Sequence, residues 1–343
     1  MPARRPGFPK TLIEFQRRFS TEEACEAYLA ECRWPDGFRC PRCDHGTAWI
    51  LSARRLRECA ACGYQVSTTA GTILHRTWTP LMVWFWAAYL LITDKRGFSA
   101  LALQPQLGIS RYETAWMILH KLRRATINAN RTKLRGTVEV DEAWIGSVQG
   151  GVSGRERSGR NAALAVLALE VGAGFPGRLR VRLVPDDSAA SLVGFVQEVV
   201  EVGSRVITDG WTAYLALPEA GFIHERTVEG SGESFINSVP HLHHTIGNLK
   251  AWLTGMHKGV GRHHLGAYVD EFAFRQNRRL NLAAAFQTLL GLGMTRDATT
   301  YETITGAQDL PRIIYTPSRQ QTGTRTRRKK FGPAAPTPNA AHL

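Results

Sequence analysis

Two aspartates, a histidine and a lysine stand at spacings that suit metal-dependent chemistry on phosphate esters. Asp141 lies in the β-type run VEVDEAWIG, and Asp209 follows a second run, RVIT. His243 comes 34 positions after Asp209, and Lys250 comes seven after His243. Hard divalent cations prefer carboxylate oxygens, and two such cations can activate a nucleophile and stabilise a leaving oxygen. The set predicts metal-dependent phosphoryl transfer, with a histidine where a third carboxylate is expected.

Short strands and helices must position these residues. Three consecutive strands followed by a helix and a strand are typical of a ribonuclease-H-like order, and that pattern begins at residue 136. In such a sheet Asp141 and Asp209 lie on adjacent strands, in or just past them. The predicted elements are strands at TVEVDEAWIG, AALAVLALEV and LRVRLVP, a helix at SAASLVGFVQEVV, strands at RVITDG and FIHERTV flanking a short helix at TAYLAL, and a helix at PHLHHTIGNLKAWLTG.

The last predicted helix carries His243 and Lys250 on one face. Ser238 can cap this helix, Pro240 sits in its first turn, and Gly255 follows its end. Seven residues make two turns, so the two side chains are about 10 Å apart along the axis. We therefore expect His243 to reach the metal while Lys250 contacts phosphate near the scissile bond.

The third position has other interpretations. His243 could act as a general base, because the unperturbed pKa of histidine lies near neutral, or it could make only a structural hydrogen bond. His244 is an alternative in register, and Asn248 is a weaker one because it lies on another helix face than Lys250. A neutral imidazole in place of a carboxylate should weaken Mg²⁺ binding and favour Mn²⁺.

Three nearby glutamates are weaker candidates. Glu142 adjoins Asp141, and because strand side chains alternate it should point to the opposite face, so it is not expected in the site. Glu229 and Glu233 lie in a Gly/Ser-rich loop and could serve only as auxiliary ligands.

Four cysteines form two CxxC pairs with fifteen residues between them: Cys40, Cys43, Cys59 and Cys62. Zn²⁺ prefers four tetrahedral nitrogen or sulfur ligands, and each CxxC turn directs two thiolates at one point. The spacing predicts a zinc ribbon whose metal is structural and supplies folding free energy. A redox dithiol is the alternative, which one pair could mimic but two pairs hardly can.

The segment GFSALALQPQLGISRYETAWMILHKLRRA predicts a helix-turn-helix. Ser99 can cap its first helix, Gly108 supplies the turn, and Ser110 with Glu113 forms a capping box for the second helix. An ordinary amphipathic helix with a solvated basic face is the alternative. The predicted DNA contacts are Arg111, Tyr112, Lys121, Arg123 and Arg124 here, and Arg278 and Arg279 further on. Phosphate or solvent contacts are also expected for His257, His263 and His264.

The charge distribution indicates a nucleic-acid partner. The 343 residues carry a net charge of +14, of which +11 lies in residues 1–135, −3 in residues 136–315 and +6 in residues 316–343. Basic N-terminal and C-terminal parts on either side of a near-neutral segment suggest a nucleic acid that is bound by both ends of the chain. The alternative is a charge that only aids solubility. The start MPARRPGFPK has no secretory character, and the apolar stretch at 80–92 is too short for a bilayer. With six cysteines and no export signal, we expect a cytoplasmic, nucleoid-associated protein.

Together these patterns predict five segments. They are an N-terminal helical segment at 1–35, a zinc ribbon at 36–72, a helix-turn-helix-like DNA-binding region at 73–133, an α/β ribonuclease-H-like catalytic core with a mixed sheet and flanking helices at 134–310, and a basic disordered tail at 311–343.

Over about residues 12–285 the chain resembles the DDE-type transposases of bacterial insertion sequences, and most closely the subgroup with an N-terminal zinc ribbon. The resemblance implies that Asp141 and Asp209 are the first two acids, and that Lys250 is the lysine seven after the third position. That position, here His243, tolerates Glu, Asn or His in the family. The motifs that carry the resemblance are the ribbon, TPLMVWFWAAYLLITDKRG, VEVDEAWIG, ITDGWTAY, GNLKAWLTGMHKGV and DEFAFRQNRR.

What the resemblance implies for function is cut-and-join chemistry with two Mg²⁺ or Mn²⁺ ions on double-stranded DNA. The protein would bind the inverted-repeat ends of its element, hydrolyse phosphodiesters and join the freed 3′-hydroxyls to target DNA. Joining two ends implies a homodimer in the DNA complex. Two alternatives stay open: a DNA-binding regulator with a defunct catalytic core, which the histidine would favour, and a nuclease that cuts without joining.

Overall fold

The computed structural model describes residues 9, 11–127, 131–146, 162–172, 175–227, 239–258, 260–295, 297–305 and 312–313. Of the tail predicted as disordered, only Arg312–Ile313 is among them. Glu229, Glu233 and Ser238, discussed above as possible ligands or a helix cap, lie outside the described residues.

The N-terminal helices share one apolar core with helices that come much later in the chain. Helices α1 (Leu12–Arg18) and α2 (Glu22–Arg33) begin after Thr11 and Thr21, whose side chains accept hydrogen bonds from backbone N–H groups of the first turn. They pack against α3 (Leu81–Thr93), α4 (Ala100–Gln106), α5 (Tyr112–Thr126) and α9 (Leu282–Thr295).

Aromatic side chains fill the centre of this helical core. Phe15 and Phe19 contact each other with ring centroids 5.1 Å apart. Phe286 of α9 lies 5.6 Å from Phe15 and 5.9 Å from Phe85 of α3. All four are at most 2% exposed. Helices α1 and α2 of the segment predicted at 1–35 are thus packed into the same core as the helix-turn-helix-like region.

The cysteine-rich segment folds as a small antiparallel sheet. Its strands are β1 (Ala48–Leu51), β2 (Leu56–Cys59) and β3 (Gln65–Ser67), in that order across the sheet. Cys59 pairs with Ala48 at one end of the β1–β2 hairpin, which places both CxxC turns at the same end. This is the arrangement that a zinc ribbon requires.

A mixed five-stranded sheet forms the second half of the chain. Its strands are β4 (Thr137–Ile145), β5 (Ala163–Gly172), β6 (Phe175–Val184), β7 (Arg205–Thr208) and β8 (Ile223–Arg226). The order is β6-β5-β4-β7-β8, antiparallel from β6 to β4 and parallel from β4 to β8. The predicted succession of strands along the chain, and the adjacency of the strands that lead to Asp141 and Asp209, are confirmed.

Helices cover both faces of the sheet, as the long apolar run in β5 requires. On one face Val138 and Val140 pack against α6 (Ala189–Val199). On the other, Ala143 and Ile145 pack against α7 (Pro240–Trp252) and α8 (Leu265–Arg278). A mixed sheet with helices on both faces is consistent with a ribonuclease-H-like core.

Helix α7 begins and ends differently from the prediction. Its N-cap is Val239, whose side chain makes no capping hydrogen bond, and Pro240 is the first helical residue. After Trp252 the chain continues as a π-helical turn, Leu253–His257, so Gly255 lies within the helical run and not beyond it. The remaining short elements are β9 (Val260–Gly261), α10 (Tyr301–Thr305) and β10 (Arg312–Ile313), which pairs with β9. None of the described helices is long and apolar enough to cross a membrane.

Candidate metal centre and nucleic-acid interface

Three carboxylates meet where β4 and β7 diverge. The parallel pairing of these strands ends with Glu139 opposite Ile207. Two residues further on come Asp141, still within β4, and Asp209, just past the end of β7. One carboxylate oxygen from each of Asp141, Glu142 and Asp209 lies within 4.8 Å of the other two. A convergence of hard oxygen donors of this kind suits Mg²⁺ or Mn²⁺.

Glu142 was wrongly excluded by strand alternation. Its side chain does leave β4 on the face opposite Asp141, next to Tyr214, whose hydroxyl donates a 2.7 Å hydrogen bond to the Glu142 carboxylate. Asp209, however, lies beyond the end of β7 and not within it. A residue at that position can be approached from both faces of the sheet, so Asp141 and Glu142 converge on it from opposite sides.

Backbone N–H groups hold the two aspartates in place. The N–H of Glu142 donates to Asp141 Oδ1 at 2.8 Å, and the N–H of Trp211 donates to Asp209 Oδ1 at 3.1 Å. Asp141 is only 8% exposed. The other oxygen of Asp141, Oδ2, lies 3.2 Å from Nε2 of the His243 ring.

Helix α7 brings His243 and Lys250 to the site, as predicted from their spacing. Leu242 and Leu249 on its buried face pack against the sheet, and His243 comes directly after Leu242. The Lys250 side chain is exposed, yet the surrounding protein lowers the pKa of its ammonium by partial desolvation. The Asp141 carboxylate opposes that shift, as expected for a cation close to the acid cluster.

A buried hydrogen bond also joins β4 to α7, beside the contact of Asp141 with His243. Glu139, two residues before Asp141, is 3% exposed and accepts a 2.7 Å hydrogen bond from the N–H of Leu242. Burial raises the pKa of this carboxyl group, while the N–H of Leu242 and the rings of His241 and His243 oppose the rise. Nothing in the sequence alone pointed to Glu139.

The four cysteines predicted to bind zinc converge on one point. Cys40 Sγ lies 3.7 Å from Cys62 Sγ, and Cys43 Sγ lies 3.5 Å from Cys59 Sγ. All four sulfurs are within 4.8 Å of one another, which fits a tetrahedral zinc ion. Burial raises the pKa of Cys59, but hydrogen bonds from backbone N–H groups and neighbouring thiols outweigh burial and lower it to about 6. That favours the thiolate form of Cys59, which is the form that binds metal. At Cys43 the N–H of His45 lowers the pKa, but hydrogen bonds with the other three cysteines outweigh it and raise the pKa to about 12.

The predicted DNA contacts divide into exposed and half-buried groups. Arg111 and Tyr112 are exposed at the start of α5, where a recognition helix would meet base edges. Arg124 is half-buried. Arg278 stacks over the Phe274 ring at 4.1 Å, and Arg279 is exposed and donates to the carbonyl of Pro176.

Two of the predicted DNA contacts are wrong. Arg123 is 1% exposed, and its Nε donates at 2.7 Å to Glu271 of α8, which is fully buried. Lys121 is 9% exposed, and its ammonium lies 5.9 Å from the Trp84 ring centroid. Both side chains point inward because α5 packs on α8, α9 and α3 and so has little outer face beyond its first turn.

The predicted phosphate contacts of two histidines are also not supported. His264 is half-buried, and desolvation, His263 and Arg123 lower its pKa to about 4. His257 has an enclosed Nε2 atom, and desolvation followed by Arg123 and Arg275 lowers its pKa to about 2. His264 packs against the Trp116 ring and His257 against the Tyr268 ring, at the junction of α5 and α8. His263 alone is exposed.

Comparisons with known proteins point to transposases. Residues 133–277 match the family model described as the ISXO2-like transposase domain, and residues 20–65 match the transposase zinc-ribbon domain. The chain therefore contains a transposase zinc ribbon followed by a transposase domain. The match to the transposase domain runs from just before the five-stranded sheet into the last turn of α8, and it contains Asp141, Asp209, His243 and Lys250. The match to the zinc-ribbon domain contains the four cysteines.

This chain is also similar to a relative from a transposable element and, weakly, to a solved structure. A Halobacterium salinarum protein described as an uncharacterized protein in transposable element ISH50 is 26% identical over 280 residues, covering 76% of this chain and 92% of its own length. A chain in the cryo-EM structure of the simian T-cell lymphotropic virus intasome in complex with PP2A regulatory subunit B56 gamma is 14% identical, over 63% of this chain and 74% of that chain. Its TM-score of 0.25 is too low to carry an argument.

Proposed function

We propose that this protein is a DNA transposase that hydrolyses phosphodiesters at the inverted-repeat ends of an insertion sequence and joins the freed 3′-hydroxyls to target DNA. The observation that carries the proposal is the convergence of three carboxylates within 4.8 Å at the junction of β4 and β7, inside the transposase domain.

In this proposal Asp141 and Asp209 hold two divalent cations, Mg²⁺ or Mn²⁺, with His243 as the third ligand. When bound, such cations lower the pKa of a coordinated water or hydroxyl and stabilise the leaving oxygen. The protein orients the aspartates through the backbone N–H groups of Glu142 and Trp211, each of which donates to one carboxylate oxygen. Glu142, held by Tyr214, provides a further carboxylate.

Lys250 binds the phosphate backbone beside the scissile bond. Its ammonium is exposed on the same face of α7 as His243 and is attracted by Asp141. The lysine can therefore pair with a non-bridging phosphate oxygen, which fixes the ester relative to the acid cluster and adds no metal ligand.

The DNA ends are recognised by the zinc ribbon and the first turn of α5. Arg111 and Tyr112 are the exposed groups there, and the ribbon adds basic side chains. Structural Zn²⁺ holds the ribbon together through its four cysteines. Because two ends must be joined, the active form on DNA is a homodimer, and the protein acts in the cytoplasm on nucleoid DNA.

A strand-transfer assay with end-sequence DNA tests the proposal in Mg²⁺ and in Mn²⁺. The native protein should cut and join, and Asp209→Ala should abolish both steps while leaving end binding intact. Glu219→Ala, which removes an exposed carboxylate outside the cluster, is the matched control and should behave as the native protein. Joining by Asp209→Ala would disprove the site. Cutting without joining would indicate a nuclease, and binding without cutting a regulator.

A further inference from the structure

Helix α7, which carries His243 and Lys250, lacks a cap of its own. The first turn of any helix leaves backbone N–H groups without intrahelical acceptors. Here Pro240 has no N–H, and the N–H of His243 reaches the carbonyl of Val239 at 2.9 Å. The side chain of Val239 at the N-cap cannot accept a hydrogen bond. The N–H groups of His241 and Leu242 therefore need an acceptor from elsewhere in the chain.

That acceptor comes from strand β4. Glu139 Oε2 accepts a hydrogen bond from the backbone nitrogen of Leu242 at 2.7 Å, a contact between residues 103 positions apart. The Glu139 side chain is buried, so little water competes for this donor. A negative charge at a helix N-terminus is further stabilised by the helix dipole. Glu139 thus takes the place that a serine or aspartate N-cap would occupy.

The cap lies next to the candidate metal centre on both elements. Glu139 and Asp141 are two apart on β4 and point to the same face of the strand. Leu242 and His243 are consecutive on α7. Two contacts therefore join the same strand and helix side by side: Glu139 to Leu242, and Asp141 to His243 at 3.2 Å. Sliding or tilting α7 along β4 would change both contacts together.

We propose that Glu139 is a positioning residue whose carboxylate caps α7 from β4 and thereby holds the His243 imidazole beside Asp141 for joint metal binding. Glu139 acts through the helix and not on the cation, because its buried carboxylate is engaged by the N–H of Leu242. The metal-binding part of this inference rests on the proposed function, whereas the cap is a property of the protein alone.

Two substitutions separate the hydrogen bond from the shape of the side chain. Glu139→Met keeps the length but has no strong acceptor, so the N–H of Leu242 is left buried and unpaired. Glu139→Gln keeps a carbonyl oxygen that can accept from the same N–H. Glu170→Met is the matched control, because Glu170 also accepts a backbone N–H, that of Arg135, but pairs with Arg178 of the edge strand β6.

Hydrogen exchange of the metal-free protein gives the first readout. Glu139→Met should lose protection of the Leu242 amide selectively, while Glu139→Gln should retain most of it and Glu170→Met should leave it unchanged. Unaltered Leu242 protection in a folded Glu139→Met protein would overturn the cap. If Glu139→Met does not fold, Glu139→Gln is compared with the native protein instead. Loss of Leu242 protection in Glu139→Gln, which keeps an acceptor, would then overturn the cap.

Mn²⁺ binding followed by electron paramagnetic resonance gives the second readout. Glu139→Met should weaken Mn²⁺ affinity roughly 10-fold, the usual scale for residues that orient a metal ligand. In a His243→Ala background the same substitution should have no further effect, because the ligand that it positions is absent. An equal loss in both backgrounds would overturn the positioning role, since Glu139 would then act on Asp141 or on the metal directly.

The two proposals fail in different ways. If the native protein neither cuts nor joins DNA, or if Asp209→Ala still joins, the proposed function fails while Leu242 protection still reports on the cap. If His243→Ala alone leaves Mn²⁺ affinity unchanged, His243 is not a ligand and the positioning of a metal ligand by Glu139 is overturned as well. Hydrogen exchange of the Leu242 amide would then still test the cap by itself.

Discussion

Arg123 of α5 and Glu271 of α8 form an ion pair at 2.7 Å with side chains 1% and 0% exposed. The Arg123 guanidinium also lies 3.9 Å from the Tyr268 ring centroid. Arg275 adds a second cation 3.6 Å from the same glutamate. These contacts connect the helical core to α8, which covers the five-stranded sheet, so a residue expected to bind DNA instead holds two parts of the protein together.

We expect Arg123→Met to destabilise the protein by about 3–5 kcal/mol, because Glu271 would be left as a buried charge with too little compensation. Chemical denaturation followed by tryptophan fluorescence measures this free energy of unfolding. Arg124→Met, at the half-buried neighbouring position, is the control and should cost far less. A loss as small as that of Arg124→Met would show that Arg275 alone can neutralise Glu271.

We expect Arg111→Ala to weaken binding to the DNA ends and to reduce the slope of log affinity against log salt by about one, since one cation contacts phosphate or a base edge. Lys121→Met is the matched control on the same helix. Because Lys121 is buried beside Trp84, its substitution should leave the salt slope unchanged. Fluorescence anisotropy at several salt concentrations measures both, and equal slopes for Arg111→Ala and the native protein would contradict the assignment.

Tyr214→Phe should lower Mn²⁺ affinity roughly 10-fold if Glu142 serves as a ligand, because the variant removes only the hydroxyl that orients this carboxylate. The same change should cost about 1 kcal/mol of stability, the usual value of one hydrogen bond. Isothermal titration with Mn²⁺ and a thermal melt measure the two effects. Unchanged Mn²⁺ affinity together with the loss of stability would give Glu142 a structural role only.

His243→Glu should retain or raise strand transfer in Mg²⁺, because a carboxylate is a harder ligand than imidazole. The rate in Mg²⁺ relative to Mn²⁺ is the quantity to measure, and it should increase in the variant. Complete loss of activity in both metals would instead identify His243 as an essential general base.

Stability should fall as the pH is lowered from about 6.5 to about 4, the interval in which a histidine such as His264 is protonated when unfolded but neutral when folded. Its folded pKa is depressed, so the unfolded state binds more protons and the free energy of unfolding rises with pH across this interval. Urea denaturation at several pH values measures the slope. His264→Asn should flatten it, and an unchanged slope would assign the effect to other groups.

The succession of strands and the proximity of Asp141, Asp209 and His243 were accessible from the sequence, because period-two and helical patterns are local and the β7 strand leads directly to Asp209. Glu142 was missed for a geometric reason. Alternation decides which face of a strand a side chain leaves, but it does not show that a neighbouring strand ends there and opens the site to both faces. The contact of Glu139 with α7 spans 103 residues and has no local signature at all.

The helix α5 illustrates a second limit. Its basic residues have the same spacing whether they face water or a partner helix, and only the positions of α3 and α8 decide which of the two holds. Arg111 and Tyr112 stay exposed at the start of α5, whereas Lys121 is buried beside Trp84 of α3 and Arg123 against α8. The acidic partner, Glu271, lies 148 residues away in the chain, so periodicity could not reveal that Arg123 is neutralised internally.

The position of α9 in the N-terminal core has a consequence for how the protein is made. Phe15, Phe19 and Phe85 pack on Phe286, which the ribosome adds some 200 residues after the last of the three. An unfinished chain therefore exposes part of its helical core until residues 282–295 have left the exit tunnel. Under the proposed function, prematurely terminated chains would lack a complete end-binding region and would compete poorly for the DNA ends.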